Sequence, residues 1–120
     1  MTGLQVLDDE TARAVAQVCD EIVPGSARVG PEVYIDALLA RMDEGTRGAA
    51  LGAFAALARD GVEAHVMTLD FFFARALAIE AFYSDFVAPG RDATGAWEEI
   101  DFNTPLATRL AKDWSYLGIR

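Results

Sequence analysis

The sequence predicts an all-α protein: a single compact bundle of about five helices with a long loop near residues 87–96. Apolar residues recur at helical spacing in several segments, and strand-like alternation never persists for more than about four residues. The helical segments are bounded by capping residues, prolines and glycines. With 120 residues, no internal repeat and no linker, the chain predicts one helical domain over residues 1–120 that can bury a core without a disulfide.

The first two helices follow from start and stop signals. Asp8 opens an acidic run that suits a helix start, and the apolar pattern continues to Ile22, where Pro24-Gly25 ends it. Pro31 suits the first position of the second helix, because its missing N–H would be unpaired there anyway. We expect this helix to end near Gly45.

The third and fourth helices differ in composition. Thr46 is the expected cap of an alanine-rich third helix that runs to about Asp60 and ends at Gly61. The fourth follows Thr68 and is apolar nearly all round, as far as Phe86. Such a helix is either central to a bundle or covered by a partner.

The remainder of the sequence is less regular. Residues 87–96 contain proline, two glycines and small polar residues, which predict a loop. Residues 97–102 are short and ambiguous. Thr104-Pro105 is again a cap followed by a first-turn proline, so it predicts a last helix that extends into the tail.

Charge and hydropathy together exclude several functions. Ten Lys and Arg stand against 19 Asp and Glu, for a formal charge of −9, while 52% of the residues are apolar. The excess negative charge argues against a nucleic-acid partner. The longest apolar runs are too short to span a membrane, and the N-terminus lacks the features of an export signal. We therefore expect no membrane insertion and a cytoplasmic location, with export alongside a partner as the other possibility.

The sequence offers few residues for chemistry, and we predict no catalytic, cofactor-binding or metal-binding residue. His65 is the single histidine, and Ser26, Ser84 and Ser115 lie outside any G-x-S-x-G motif. Cys19 is a lone cysteine, so the chain has neither an internal disulfide nor a cysteine-rich zinc site. The glycines form no phosphate-binding pattern.

Acidic residues give two weaker signals. Glu98, Glu99 and Asp101 are expected to form a solvated rim. Glu80 lies inside the apolar fourth helix, so if buried it needs a partner such as Arg75 or Arg109.

Aromatic residues are concentrated in the C-terminal half, where ten of the 12 lie between residues 71 and 116. Most should be core, but narrow, alanine-rich helices offer limited surface to cover them. Exposed tyrosine and tryptophan are favoured anchors of protein interfaces. The expected anchors are Phe82, Tyr83, Phe86, Trp97, Phe102, Trp114 and Tyr116, with Arg91 and Arg109 as charged contacts.

Several segments in order resemble one family over roughly residues 11–102. They are DEIVPG, VGPEVYIDALLARM, an aromatic helix ending in AIEAFYSDF, a glycine-containing loop, and a tryptophan followed by I-x-F. This arrangement resembles gluconate 2-dehydrogenase subunit 3. The resemblance implies a non-catalytic small subunit that binds and matures a large FAD-dependent oxidoreductase of the glucose-methanol-choline type, acting on sugars or alcohols. A cytochrome c subunit often completes such complexes.

The sequence also departs from that family. It lacks the twin-arginine signal, Phe86 stands where a proline is usual, and Ala88-Pro89-Gly90-Arg91 replaces a Tyr-Gly-Gly-Asn loop. These departures fit a cytoplasmic or divergent relative.

The leading hypothesis is thus an accessory subunit of a heteromeric oxidoreductase complex, with a chaperone-like effect on a flavoprotein partner that carries the FAD. Two alternatives stay open. One is a stand-alone helical domain that binds or converts a small molecule in a pocket around Glu80 and His65. The other is a self-associating scaffold.

Overall fold

The structure, a computed structural model, describes residues 4–91, 93, 95, 96, 117 and 118. The described residues are all-helical and contain no strand, so the predicted fold class is confirmed. The helices are α1 (Asp9–Ile22), α2 (Pro31–Arg41), α3 (Glu44–Asp60) and α4 (Leu69–Tyr83), with 3₁₀ helices at Ser26–Val29 and Val62–His65.

Three helix starts lie where the sequence signals place them. The carboxylate of Asp8 accepts the N–H of Thr11 at 2.7 Å, and this backbone hydrogen bond lowers the pKa of Asp8. The hydroxyl of Thr68 accepts the N–H of Phe71 at 3.1 Å and caps α4. Pro31 is the first residue of α2. Local capping chemistry therefore determines these boundaries.

The boundary between α2 and α3 corrects the sequence prediction. α2 already ends at Arg41, and Asp43, rather than Thr46, caps α3. Thr46 lies in the first turn and donates both its N–H and its hydroxyl to the Asp43 carboxylate, at 3.1 and 2.5 Å. A carboxylate that accepts two bonds satisfies the helix start, and Gly45 consequently lies inside the helix.

The chain leaves both α3 and α4 through a residue with positive φ. Gly61 has φ +88° and donates its N–H to the Leu57 carbonyl at 2.9 Å, which confirms it as the end of α3. α4 ends at Tyr83, before the predicted Phe86. The chain turns at Asp85, a buried residue with φ +64°.

The core lies between α1, α3 and α4, with α2 packed against α1 and α4. Phe54 and Leu57 of α3 are buried beside a row of buried alanines on α4, namely Ala74, Ala78 and Ala81. Small side chains at a helix contact let the axes approach closely. Burial raises the pKa of the Cys19 thiol to about 12, so this cysteine stays protonated inside the core.

Asp36 fastens the N-terminal segment to α2. Its buried carboxylate accepts the backbone N–H groups of Gln5, Val6 and Leu7 at 2.7, 2.8 and 2.9 Å. A buried carboxylate is stable when several donors satisfy it. This arrangement brings the side chain of Leu7 into the core.

Candidate functional site

The most exposed apolar side chains of the described residues lie on α4 and the turn before it. Met67 is 83% exposed and Leu69 is 86% exposed, with Val66 beside them. We call Val66, Met67 and Leu69 the entry patch. A contiguous exposed apolar surface of this kind marks an interaction site more often than scattered single residues do.

The exposed apolar surface continues along α4. Phe72 is 49% exposed and Tyr83 is 48% exposed; Ala76 is exposed and Ile79 is partly buried. The outer face of α4 consists of Leu69, Phe72, Ala76, Ile79 and Tyr83. These positions are three or four residues apart, so they share one side of the helix.

The opposite side of α4 faces the core, with Ala74, Leu77, Ala78, Ala81 and Phe82 buried. α4 is therefore apolar on both sides, but the described chain covers one side alone. Burial in the bundle therefore holds for one face of α4, while cover of the other face by a partner stays a prediction.

A groove runs between α3 and α4 beside the entry patch. It encloses about 750 Å³ and is lined by Ala49, Gly52, Leu69, Asp70, Phe72 and Phe73. Gly52 lies in mid-helix, and a Cβ added there would meet no atom within 4 Å. Small residues of α3 thus line one side of the groove, and the residues of α4 on the other side are mostly large and apolar. Such a groove can accept a side chain from another protein.

Glu80 does not meet the condition under which the sequence required a charged partner. It is exposed rather than buried, and its Oε2 accepts the hydroxyl of Tyr34 at 3.1 Å. Arg75 is exposed too, and no hydrogen bond or ion pair within the described residues joins it to Glu80. An exposed carboxylate needs no ion-pair partner, and Glu80 bonds to a tyrosine of α2 instead; Arg109, the other candidate, lies outside the described residues.

Phe82 and Phe86 were predicted as interface anchors, but both are buried in the core. Phe82 is 2% exposed and Phe86 is 0% exposed. The Phe86 ring packs edge-on against Tyr34 with the centroids 5.2 Å apart, and the Arg28 guanidinium lies 5.2 Å from the Phe82 ring centroid. The left-handed turn at Asp85 carries Phe86 back into the protein, so the chain itself covers both rings.

Among the expected anchors, Tyr83 is half-exposed and Arg91 is a structural link. Arg91 donates to the Ala27 carbonyl at 3.1 Å and to Glu32 Oε2 at 3.0 Å. These bonds, with that from Ala88 N–H to the Val29 carbonyl at 2.7 Å, hold the start of the predicted loop against the preceding helices. The other expected contacts, Trp97, Phe102, Arg109, Trp114 and Tyr116, lie outside the described residues and stay predictions.

His65 is part of a small charged cluster at the end of α3. Its Nε2 lies 2.8 Å from Asp60 Oδ2, and Arg59 Nε lies 2.9 Å from Asp60 Oδ1. The hydrogen bond from Arg59 and then that from His65 lower the pKa of Asp60 to about 2. Because His65 precedes α4 and Glu80 lies in its last turn, the structure does not bring these two residues into one pocket.

Other polar groups of the described residues make structural contacts. Ser26 donates its hydroxyl to the Cys19 carbonyl at 3.0 Å. The described ranges contain no group of three or more His, Cys, Asp or Glu residues placed to hold a metal ion. Within the same ranges, the helices are too short or too polar to cross a membrane.

A second cleft lies between α1 and α2 and encloses about 640 Å³. Its lining combines apolar and charged residues: Leu4, Asp9, Ala12, Arg13, Ala16, Gln17, Glu32, Val33 and Arg91. The Glu32–Arg91 ion pair belongs to this lining, and the other oxygen of Glu32, Oε1, is buried without a hydrogen-bond partner among the described residues.

Sequence reasoning missed the entry patch as a site. The spacing of Leu69, Phe72 and Tyr83 shows that they share a face, but it cannot say whether the fold covers that face. The signal that could have indicated exposure is the small-residue composition of α3, whose Ala49 and Gly52 are too short to cover the phenylalanines beside them.

Comparisons with known proteins found no match to any family model, any curated protein or any solved structure. The family resemblance of the sequence therefore stays a prediction, and the exposed apolar surface of α4 is the structural basis for inferring a function.

Proposed function

We propose that this chain is a non-catalytic accessory subunit that binds a larger protein through its entry patch and the adjoining groove. The observation that carries the proposal is the near-complete exposure of Met67 and Leu69, next to Val66 and the half-exposed Phe72. Covering apolar surface is worth roughly 25 cal/mol per Å². A partner that closes over these side chains would gain that free energy.

The surface chemistry of the rest of the chain supports the same role. The formal charge of −9 keeps whatever the partner leaves uncovered well hydrated. Several charged residues make contacts within the fold: Asp36 holds the N-terminal segment, Glu32 and Arg91 pair, and Asp60 pairs with Arg59 and His65. The entry patch, by contrast, is apolar and exposed, so it is the surface that gains most from being covered.

The identity of the partner comes from the sequence resemblance. We propose a large FAD-dependent oxidoreductase of the glucose-methanol-choline type, acting on a sugar or an alcohol, with the flavin and the chemistry in that partner. A cytochrome c subunit is a further candidate component. Because the accessory subunit binds the folded partner and not the unfolded one, it stabilises the fold by mass action. At a free concentration of 100 times Kd, this is worth about 2.7 kcal/mol.

Co-expression tests this proposal. A flavoprotein encoded in the same operon should accumulate in soluble, FAD-loaded form with the wild-type chain and much less without it. The double variant Met67→Glu/Leu69→Glu should lose the complex, because two carboxylates would have to be buried at the interface. Ala58→Glu, which adds a charge at an exposed position of α3 outside the patch, is the matched control and should behave as wild type.

Two results would contradict the proposal. One is a flavoprotein that is equally soluble and FAD-loaded when this chain is absent. The other is a Met67→Glu/Leu69→Glu variant that binds the flavoprotein as tightly as the wild type does.

A further inference from the structure

The outer face of α4 has the spacing of a two-stranded coiled coil. Leu69, Phe72, Ala76, Ile79 and Tyr83 follow each other at intervals of three, four, three and four residues, which are heptad positions a, d, a, d and a. In the same register, Ala74 and Ala81 occupy position f, opposite the seam, and both are buried in the core. The register thus divides α4 into a covered side and a side ready to pair with another helix.

The charges beside this seam have a defined arrangement. Arg75 falls at position g and Glu80 at position e of the next heptad. Both are exposed, and Arg75 takes part in no hydrogen bond or ion pair within the described residues. Glu80 uses Oε2 for the Tyr34 hydroxyl, which leaves its other oxygen available to a cation.

The charges decide the orientation in which two such helices fit. In a parallel, in-register pair, position g of one helix lies beside position e of the following heptad on the other. Arg75 would then meet Glu80 of the second copy, twice by symmetry. In an antiparallel pair, g faces g and e faces e, so Arg75 could not meet Glu80 of the second copy. The face is therefore complementary to itself in the parallel orientation.

We propose that this chain self-associates as a two-fold symmetric dimer in which α4 of one copy pairs in parallel with α4 of the second. Ala76 at the central a position lets the helix axes approach closely, while Phe72 and Ile79 fill the d positions on either side. A two-fold interface uses the same surface of both copies, which this seam satisfies.

The length of α4 limits the area that the dimer can bury. α4 has 15 residues and so is about 22 Å long. A pair of helices this short buries less than the ~1,200 Å² that separates weak from standard interfaces. The dimer therefore belongs to the class of weak or transient interfaces.

The dimer adds a feature to the proposed function without resting on it. Leu69 and Phe72 belong both to the seam and to the surface proposed for the flavoprotein, so the second copy and the flavoprotein would compete for these two side chains. The self-association itself depends on Arg75, Glu80 and the seam, whatever the second protein is.

Sedimentation equilibrium of the full chain tests the dimer. Over about 1 to 100 µM the average mass should rise from that of a monomer toward that of a dimer. Phe72→Glu should raise the Kd by about 30-fold or more. Arg75→Glu and Glu80→Arg should each raise it about three- to tenfold, and the double variant Arg75→Glu/Glu80→Arg should return it to near the wild-type value. Ala58→Glu is the control and should not change it.

A cysteine cross-link tests the orientation. Position a residues face each other across a parallel pair, so Ala76→Cys should oxidise to a disulfide-linked dimer, whereas Ala55→Cys on α3 should not. The native Cys19 is buried and does not compete. A chain that stays monomeric throughout the concentration range overturns the proposal. So does a double charge reversal that dimerises more weakly than either single variant, or an Ala76→Cys variant that fails to cross-link.

These results separate the two proposals. Arg75→Glu weakens the dimer but leaves Met67 and Leu69 intact. Retained flavoprotein binding with loss of the dimer, or the converse, shows which proposal has failed. A thermal melt of each variant confirms that it is folded.

Discussion

α2 and α4 both carry apolar residues around most of their circumference, but the fold treats them differently. α2 buries Tyr34, Ile35, Asp36 and Leu39, and Asp36 is satisfied inside the protein. α4 buries one face and leaves Leu69, Phe72 and Tyr83 substantially exposed on the other. α2 is thus held within the fold, whereas α4 packs into the core on one side and exposes on the other the apolar face that we propose as a binding surface. Substitutions at buried positions should therefore affect folding, and substitutions on the outer face of α4 should affect association.

The largest expected effect on folding is at Phe86. Phe86→Ala removes a fully buried ring that packs against Tyr34, and we expect a loss of about 3–5 kcal/mol in the free energy of unfolding. Denaturant unfolding monitored by circular dichroism measures this loss. A loss below ~1 kcal/mol would mean that Phe86 is a surface residue, as the sequence prediction had it.

Asp36 comes next, because its partners are backbone groups that have no alternative. Asp36→Ala leaves the N–H groups of Gln5, Val6 and Leu7 without their acceptor, and we expect a loss of about 2–3 kcal/mol. Hydrogen exchange at these three amides should speed up in parallel. Asp9→Ala, an exposed position one helix away, is the control. Equal stability of the two variants would show that the N-terminal segment is not held in this way.

Sequence signals anticipated the local features well. Asp8, Pro31, Gly61 and Thr68 act within a few residues of themselves, so their roles could be predicted. Thr46 was predicted as the cap of α3, but Asp43, three residues earlier, is also a good capping residue and takes that role. The choice between these two residues is a matter of local sequence, not of tertiary contacts. Local capping chemistry is thus readable from sequence to within a few residues.

Long-range features could not be predicted in the same way. The bonds between Asp36 and the N-terminal segment join residues about 30 positions apart, and nothing in the local pattern marks them. For the same reason, the sequence could not say which side of α4 the bundle covers. Phe82 was thereby expected at the interface and lies in the core, while Leu69 was overlooked and is exposed.

A substitution at Gly52 should change the free energy of unfolding by less, and in the stabilising direction. Gly52→Ala should stabilise the protein by about 0.5–1 kcal/mol, because alanine favours a helix interior and its Cβ meets no atom within 4 Å. The same substitution makes the groove shallower, so partner binding should weaken while stability rises. Thermal unfolding and a binding assay on the same variant check this split. A destabilised variant would contradict the open space above Gly52.

The smallest effect is at Asp60, an exposed residue at the end of α3. Its pKa is lowered to about 2 by the hydrogen bonds from Arg59 and His65. Because the folded-state pKa lies below the ordinary value of 3.8, its contribution to stability is present above pH 3.8 and disappears as the pH falls toward 2. NMR titration of the Asp60 carboxyl should show a midpoint near 2, which rises toward 3.8 in Arg59→Ala. A midpoint of 3.8 in the wild type would contradict the ion pair.

We propose that the outer face of α4 is a binding surface, and not a part of the core that the bundle fails to cover. Leu69→Glu tests it most directly, because Leu69 is nearly fully exposed and a glutamate in the first turn of a helix is favourable. The measurements are the affinity of this variant for the proposed flavoprotein partner and its free energy of unfolding. We expect the free energy of unfolding to change by less than ~0.5 kcal/mol while binding is lost. A variant that is strongly destabilised, or one that is stable and binds as the wild type does, would contradict it.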